Sequence, residues 1–326
     1  MSALLERLGV ERPVVQAGMG GGIAGHRLAA AVSEAGGLGT LGFLPAPALA
    51  AELRAARERT SRPVAVNLLL PFARSAHWRL AAEADVVVTF WGRPARRTSK
   101  AWLHQCGSVR EALAAQRAGA DGVIVQGAEA GGHVRGTHPA PALLEQARAA
   151  LPAGYPILMA GGLADAADVA RALDAGAHAA VLGTRFLLSA ESGAHPEYKR
   201  RVAASADTVL TELFGLGWPS APHRVVANAA TRRWLAGRDP RGPRGIRALN
   251  AITAPLARRL TGVDPGRFQR ADRPFLGPRP PTAEDPEALV DAGPLYAGES
   301  AARIHDVRPA DELVRELAAV QERSAR

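Results

Sequence analysis

The amino-acid sequence predicts an α/β protein, a (β/α)8 barrel (TIM barrel) with an additional irregular or helical C-terminal lobe. Short β-rich apolar runs alternate with Ala/Leu/Arg helical segments up to about residue 204, which is the pattern of parallel βα units. Eight such runs can be counted, and the chain has 326 residues, enough for a barrel of roughly 200 to 250 residues and a further lobe. We therefore expect a closed barrel rather than an open sheet.

The predicted strands follow one another along the first part of the chain. They are Val14–Ala17, Gly39–Phe43, Val64–Leu69, Val86–Phe90, Trp102–Gln105, Gly122–Gln126, Ile157–Ala160 and Ala179–Leu182. Segments between them carry apolar residues at helical spacing and stop near a glycine, so we predict helices at Ala24–Glu34, Pro47–Glu58, Val109–Arg117, Ala140–Ala150 and Ala166–Asp174. The fourth unit is thin, because Gly92–Lys100 has room for little more than one helical turn.

Three regions are expected along the chain, namely a barrel, an irregular, partly helical lobe on the substrate side, and a C-terminal helix that packs back on the barrel: residues 1–205, 206–300 and 301–326. Pro and Gly are frequent from Gly215 to Pro294, with no strand periodicity, and the stretch from GPRGIRALN to DRPFLGPRPPTAEDPEA is either part of the lobe or a flexible linker. Leu313, Leu317 and Val320 stand at helical spacing and predict the terminal helix.

Composition excludes several classes of protein. With 47% hydrophobic and 22% charged residues the chain is neither disordered nor fibrous. It has no apolar stretch of the roughly 18 to 20 residues that cross a bilayer, and the N-terminus MSALLERLGVERP lacks the features of a secretory signal, so we expect a cytoplasmic protein with no membrane partner.

Charge and metal-binding residues exclude further classes. The formal charge is +9, but the positive residues are nearly all arginines scattered through helices, and no nucleic-acid motif accompanies them, so no nucleic-acid partner is expected. The single Cys106 excludes an internal disulfide and a cysteine-rich metal site. No pair of histidines stands at metal-ligand spacing with a carboxylate, so we expect no metal.

The active site of such a barrel lies at the carboxyl ends of its strands, where this sequence is rich in glycine. The loops after strands seven and eight are the usual phosphate site of these barrels. The backbone N–H groups of Gly162, Gly183 and Thr184 therefore predict a site for a phosphate of a substrate or of FMN, since glycine allows close approach and a helix start favours an anion. The alternative is that these glycines only make tight turns.

Four further side chains at the strand ends are candidates. His133 follows a Gly-Gly pair, with Glu129 as the acid nearby, and is either a general base on a flexible loop or a structural residue. Asn67 and Gln126 suit the polar edge of a flavin, or bond the neighbouring loop backbone. Met19 either lies over a flat ring or fills a gap. Six other histidines receive no functional role here: His26, His77, His138, His178, His195 and His223.

These strand-end segments closely resemble the nitronate monooxygenase family, formerly called 2-nitropropane dioxygenases, which are FMN-dependent (β/α)8-barrel proteins. The matching stretches span most of residues 13–205 and are QAGMGGG, LAAAVSEAGGLGTLG, PVAVNLLL, GADGVIVQGAEAGGHVRG and ILMAGGLADAADVARALDAGAHAAVLGTRFLLSAES. The order QGxEAGGH, AGG, GTRF is far more specific than a lone glycine motif. The tail YAGESAARIHDVRPADELV is similar to the C-terminal segment of the family.

The resemblance implies an FMN-dependent oxidoreductase that uses O2 to oxidise alkyl nitronates or nitroalkanes to a carbonyl compound and nitrite, without NAD(P)H. It implies that His133 is the catalytic base, or in protonated form stabilises the nitronate. It also implies a set of FMN-binding residues, with Met19 near the isoalloxazine ring: Met19, Asn67, Gln126, Gly131, Gly162, Gly183 and Thr184.

Two departures from the family pattern leave alternatives open. The segment between Trp91 and His104 is short, and Glu299 stands where a glutamine is usual in YAGQ. A flavin-dependent enoyl-acyl-carrier-protein reductase shares the barrel and a similar EAGGH segment but uses NAD(P)H. A quinone reductase and a non-catalytic flavin-binding protein are further alternatives.

Overall fold

Eight parallel strands and their crossover helices make up the first half of the molecule in a computed structural model, which describes residues 3–257 and 265–324. The strands and helices of this half are, in chain order, α1 (Ala3–Arg7), β1 (Val14–Gln16), α2 (His26–Glu34), β2 (Gly39–Leu41), α3 (Ala46–Arg57), β3 (Val64–Leu69), α4 (Ser75–Ala81), β4 (Val86–Phe90), β5 (Ala101–Cys106), α5 (Val109–Arg117), β6 (Gly122–Gln126), β7 (Gly132–His133), α6 (Ala140–Ala150), β8 (Ile157–Ala160), α7 (Ala166–Asp174), β9 (Ala179–Leu182) and α8 (Thr184–Leu187).

The remaining elements form the lobe and the C-terminal helix. They are α9 (Pro196–Ala203), β10 (Val209–Thr211), β11 (His223–Val226), α10 (Ala229–Leu235), α11 (Arg244–Ala257), α12 (Ala288–Ala292), β12 (Leu295–Tyr296) and α13 (Ala310–Ser324). Short 3₁₀ turns lie at Pro265–Phe268 and Glu299–Arg303.

The predicted barrel is confirmed. Its strand order is β1-β9-β8-β6-β5-β4-β3-β2, all pairs being parallel. The first and last strands of this order meet through Leu38, which exchanges backbone hydrogen bonds of 3.0 Å with Val14 and Gln16. Alternate strand residues such as Leu103, Ile124 and Leu158 fill the interior, as the pleat of a strand requires.

Five of the eight strand boundaries agree with the sequence prediction, and most of the helices agree to within two residues. The strand predicted to end at Phe43 ends at Leu41. Gly42 turns the chain away there, its N–H donating to the Ala24 carbonyl at 2.9 Å, and a Cβ on Gly42 would collide with the Met19 backbone. Helix α4 was not predicted; His77 accepts from the Arg74 N–H at its start and contacts the Leu44 carbonyl at 3.1 Å.

The lobe contains a small antiparallel sheet that the sequence analysis did not predict. Strand β11 pairs with β10 and β12 and also with β7, which rises from the barrel rim. The sequence of this region shows no strand periodicity because strands of two to four residues are too short to show a period of two. Helix α11 also shows that the described part of the suspected linker is structured.

Helix α13 packs on α7 and α2, with Leu313, Val314 and Leu317 buried in the layer between barrel and helices. The side chain of Val320 lies outside the described part of the structure. In the described ranges, no helix is both long enough and apolar enough to span a membrane.

Because α13 contributes to the main core, Leu317→Ala should lower the free energy of unfolding by about 2 to 5 kcal/mol, the usual effect of removing a buried leucine. Ile252→Ala, at a side chain that is 76% exposed on α11, is the control and should cost less than about 0.5 kcal/mol. Urea unfolding measures both variants, and similar values for the two would show that α13 is not part of the core.

Candidate active site

His133 lies at the carboxyl-end rim of the barrel in strand β7. It was predicted to be on a flexible loop, and the structure corrects this: β7 pairs with β11 in a register that sets His133 opposite His223 and Gly132 opposite Arg224. The histidine is therefore held between the barrel and the lobe by backbone hydrogen bonds. Because the pairing partner lies 90 residues away in sequence, no local sequence pattern indicated this strand.

Gln126 ties the His133 segment to the end of β6. Its Nε2 donates to the His133 carbonyl at 3.0 Å, and its Oε1 accepts from the Arg135 N–H at 3.0 Å. Of the two interpretations considered for Gln126, the structure shows the bonding to loop backbone. Its contribution to the site is to position His133.

Aromatic rings surround the imidazole of His133. Trp218 stacks on it with ring centroids 3.9 Å apart, and Trp91, Tyr296 and His223 lie at 5.9, 5.5 and 5.2 Å. Trp91 has a φ of 62°, which is rare for a bulky residue and places its indole at the end of β4. Trp218 and His223 were not among the predicted site residues, since the lobe carries no motif that would have indicated them.

The environment keeps His133 uncharged. Its Nε2 atom is buried and has no hydrogen-bond partner in the described chain. Burial, and secondarily the neighbouring His223, hold the pKa of His133 well below 6.5. A neutral imidazole with a free ring nitrogen can accept a proton.

His223 is a fixed, neutral neighbour. Its Nε2 accepts from the Phe214 N–H at 3.2 Å, which leaves the proton on Nδ1, 2.9 Å from the Ala221 carbonyl. Burial lowers the pKa of His223 to about 4. Both nitrogens are used by the backbone, so His223 supports the lobe and shapes the surroundings of His133.

Asn67 lies in β3 and Met19 follows β1 at the same rim of the barrel. The Asn67 Nδ2 donates to the Gly18 carbonyl at 3.0 Å, while its Oδ1 is buried and, in the described residues, has no donor. A buried amide oxygen of this kind is free to accept from an ordered water or from a bound group. Met19 is partly buried and packs at the junction of two hydrophobic clusters.

The predicted phosphate loops come together at α8. Gly162 has a φ of 70°, and α8 begins at Gly183 without a side-chain cap. Within the described residues, no hydrogen bond engages the backbone N–H groups of Gly162, Gly183 or Thr184. A Cβ on Gly183 would meet nothing nearer than 3.8 Å, so the space beside these donors is open. Three free donors around open space form a cradle that suits a phosphate.

The segment at residues 297–299 closes one side of this cradle. The Gly298 N–H donates to Thr184 Oγ1 at 2.9 Å, and a Cβ on Gly131 would collide with Gly298. Gly131 is therefore a close-approach glycine between two loops. Glu129, the acid expected near His133, instead accepts from the Ala140 N–H at 2.9 Å at the start of α6.

Arg224 explains the unusual Glu299. Its guanidinium donates to the Ala128 carbonyl at 2.7 Å and lies 3.0 Å from the Glu299 carboxylate. The pair joins β11 to both loops that flank the cradle. The glutamate that replaces the expected glutamine is thus an ion-pair partner in this chain.

Two surface cavities lie away from this rim. A surface cavity of about 520 Å³ lies near Lys199 and His305, and a smaller one near Arg54, both away from the strand ends. The space over His133 is filled by Trp218. No group of three or more His, Cys, Asp or Glu side chains that could hold a metal occurs among the described residues.

Comparisons with known proteins agree with this architecture. The family model "Nitronate monooxygenase" matches residues 1–103 and 95–319. A nitroalkane oxidase structure from Streptomyces ansochromogenes is 29% identical with a TM-score of 0.77, over 99% of each chain. FabK from Thermotoga maritima is 26% identical with a TM-score of 0.77, over 100% of this chain and 97% of that one.

A curated relative carries a different name. It is the (3aS,4S,5R,7aS)-5-hydroxy-7a-methyl-1-oxo-octahydro-1H-indene-4-carboxyl-CoA dehydrogenase of Mycobacterium tuberculosis, 34% identical over 73% of this chain and 70% of the relative. Proteins similar to this chain thus carry more than one named activity.

The stacked Trp218 should report the protonation of His133, because a protonated imidazole quenches indole fluorescence and a neutral one does not. With the pKa of His133 well below 6.5, the Trp218 contribution should stay constant down to pH 6.5 and fall only in more acidic solution. The same shift makes the protein lose stability as the pH falls below 6.5, since the unfolded chain binds the proton more tightly. The fluorescence titration compares native protein with Trp218→Phe, and Trp234→Phe serves as the control. A midpoint of the fluorescence change at or above pH 6.5 would contradict a neutral His133.

Loss of the Arg224 hydrogen bond should lower the free energy of unfolding more than loss of the Glu299 charge. Arg224→Ala removes the hydrogen bond to Ala128 and should cost about 1 to 3 kcal/mol of unfolding free energy. Glu299→Gln keeps a hydrogen-bond acceptor at a side chain that is 57% exposed and should cost less than about 1 kcal/mol. Urea denaturation of both variants tests this; a larger loss for Glu299→Gln would overturn the assignment.

Proposed function

The chain belongs to the nitronate monooxygenase family, and from that membership we propose that it binds FMN and oxidises alkyl nitronates or nitroalkanes with O2 to a carbonyl compound and nitrite. The observation that carries this proposal is the neutral His133, whose buried Nε2 has no partner in the described chain and faces an aromatic enclosure beside the glycine cradle. The partners of the reaction are a small-molecule substrate and O2.

The residues at the strand ends fit FMN. The free N–H groups at Gly162, Gly183 and Thr184 would hold the phosphate, and the open space beside Gly183 accommodates it. The unpartnered Asn67 Oδ1 would accept from the pyrimidine edge of the ring, with Met19 alongside. Gly131 and Gln126 would act by keeping the loops in place. When bound, FMN would supply the redox chemistry that links oxidation of the nitronate to reduction of O2.

His133 would perform the proton transfer. For a neutral nitroalkane, Nε2 accepts the proton from the carbon that bears the nitro group, which leaves the nitronate anion and an imidazolium in contact. Because His133 Nε2 is buried and the rings of Trp218 and Trp91 lie beside the imidazole, the attraction between these charges would be stronger than in bulk solvent. A nitronate supplied as the preformed anion needs no such transfer. The hydrogen bond from Gln126 Nε2 to the His133 carbonyl would keep the His133 backbone in place during the proton transfer.

The aromatic enclosure would select the substrate. Apolar walls from Trp91, Trp218 and Tyr296 favour an alkyl chain over a strongly hydrated group. We expect small or linear nitro compounds to react, since Trp218 occupies the space directly over the imidazole.

A second candidate function is a flavin-dependent oxidoreductase that exchanges electrons with a nicotinamide nucleotide or acts on a thioester. It is favoured by the 34% identity to the carboxyl-CoA dehydrogenase and by the likeness to FabK along the full chain. Reduction of the bound flavin by NADPH would distinguish this activity from nitronate oxidation.

Replacing the proposed base should slow turnover of a neutral nitroalkane much more than turnover of a preformed nitronate. His133→Asn should retain FMN, because the cradle donors are elsewhere, yet lose at least about a hundredfold in kcat/KM with a neutral nitroalkane. Turnover of the preformed nitronate should change far less. Nitrite release measures both, with His138→Asn, at an exposed position, as control; equal turnover of the nitroalkane by the His133 variant would remove His133 from the mechanism.

A further inference from the structure

The short segment after β4 is strongly basic. Between Asp85 and Glu111 the sequence contains no acidic residue, whereas it contains five basic ones, of which four lie in the segment 92–100: Arg93, Arg96, Arg97, Lys100 and Arg110. Residues 92–100 form no helix, so the usual crossover helix is replaced here by an extended basic strip.

This strip begins at the mouth of the candidate active site. Trp91, its immediate predecessor, has its ring 5.9 Å from that of His133 and 5.3 Å from that of Trp218. Arg93 follows two residues later, so its Cα lies within about 8 Å of the Trp91 Cα. A group bound at Arg93 is therefore within reach of a molecule whose other end lies beside His133.

The arginines of the strip differ in their partners. Arg96 anchors the segment to the body of the barrel, through Asp121 at 3.2 Å and the Lys100 carbonyl at 3.4 Å. Arg93 and Arg97 are exposed, and neither has an acidic partner in the part of the chain that the structure describes. Two exposed guanidinium groups without carboxylates nearby are available to bind an anion.

An aromatic surface accompanies them. The Arg97 guanidinium lies over the ring of Trp78 on α4, 5.8 Å from its centroid. Guanidinium and indole planes together stack well against a flat base, while the guanidinium fork binds phosphate oxygens in pairs. This combination fits a nucleotide better than it fits a simple anion such as acetate.

We propose that Arg93, Arg97 and Trp78 bind the phosphate-bearing adenosine end of a ligand whose reactive end enters the mouth beside His133. Two ligands share this chemistry, a coenzyme A thioester and NADPH. The inference rests on the proposed function only in placing the reactive site at His133. It goes beyond that function, because a small nitro compound carries no nucleotide, and it gives a binding site to the ligands of the second candidate function.

The test is direct binding, because binding does not depend on which reaction follows. Coenzyme A and the unreactive NADP⁺ are titrated by calorimetry, at about 0.15 M salt, into protein saturated with FMN so that the flavin site is filled. The Arg93→Gln/Arg97→Gln double variant should bind at least about tenfold more weakly than the native protein.

The matched control is Arg54→Gln/Arg59→Gln. These arginines are also exposed, and they lie at the end of α3 and just after it, next to the start of β3 and so at the opposite end of the barrel. The control removes the same net charge and should alter binding by less than about twofold, since the strip itself is intact.

Binding of coenzyme A alone with this dependence identifies a thioester, and binding of NADP⁺ alone identifies a nicotinamide reductant. The proposal is overturned if neither ligand binds below about 1 mM, or if both double variants weaken binding equally, which would show general charge attraction. Nitrite release from propionate 3-nitronate is measured on the same native preparation. Its absence would contradict nitronate oxidation without affecting the binding result, and failed binding would leave nitronate oxidation standing.

Discussion

The pairing of β7 with β11 is the contact on which the candidate site depends. It sets His133 opposite His223 and brings a lobe strand onto the barrel rim, while Gln126 fastens the same segment from the barrel side. A histidine on a free loop would be solvated and would titrate near its usual pKa. Here the backbone of two layers fixes it with its Nε2 atom buried against aromatic rings, and its chemistry follows from that position.

The same contact links the cradle to the lobe. Arg224, beside His223 in β11, reaches the Ala128 carbonyl and Glu299, and Gly298, the residue before Glu299, donates to Thr184 at the start of α8. Loops from β6, β9 and β12 are thus joined through a few polar contacts. Bound FMN would fill the remaining donors and the Asn67 acceptor, so cofactor binding and lobe position are expected to stabilise each other.

Much of the barrel could be predicted from the sequence, because a strand buried on both faces is an uninterrupted apolar run. Val64–Leu69 and Gly122–Gln126 are such runs, and their ends place Asn67 and Gln126 at the rim. The lobe strands could not be predicted, since β12 has only two residues and exists because β11 is present to pair with it. Trp218 and His223 were missed for the same reason: contacts over long sequence separations create the enclosure. The cofactor-binding and catalytic roles of the predicted residues stay predictions.

The measurement that tests the central claim most directly is anaerobic mixing of the FMN-loaded protein with propionate 3-nitronate and, separately, with NADPH, while the flavin absorbance is followed. The account predicts loss of flavin absorbance with the nitronate and release of nitrite when air is admitted. Rapid bleaching by NADPH with no response to the nitronate would contradict it and make the chain a nicotinamide-dependent oxidoreductase built on the same barrel.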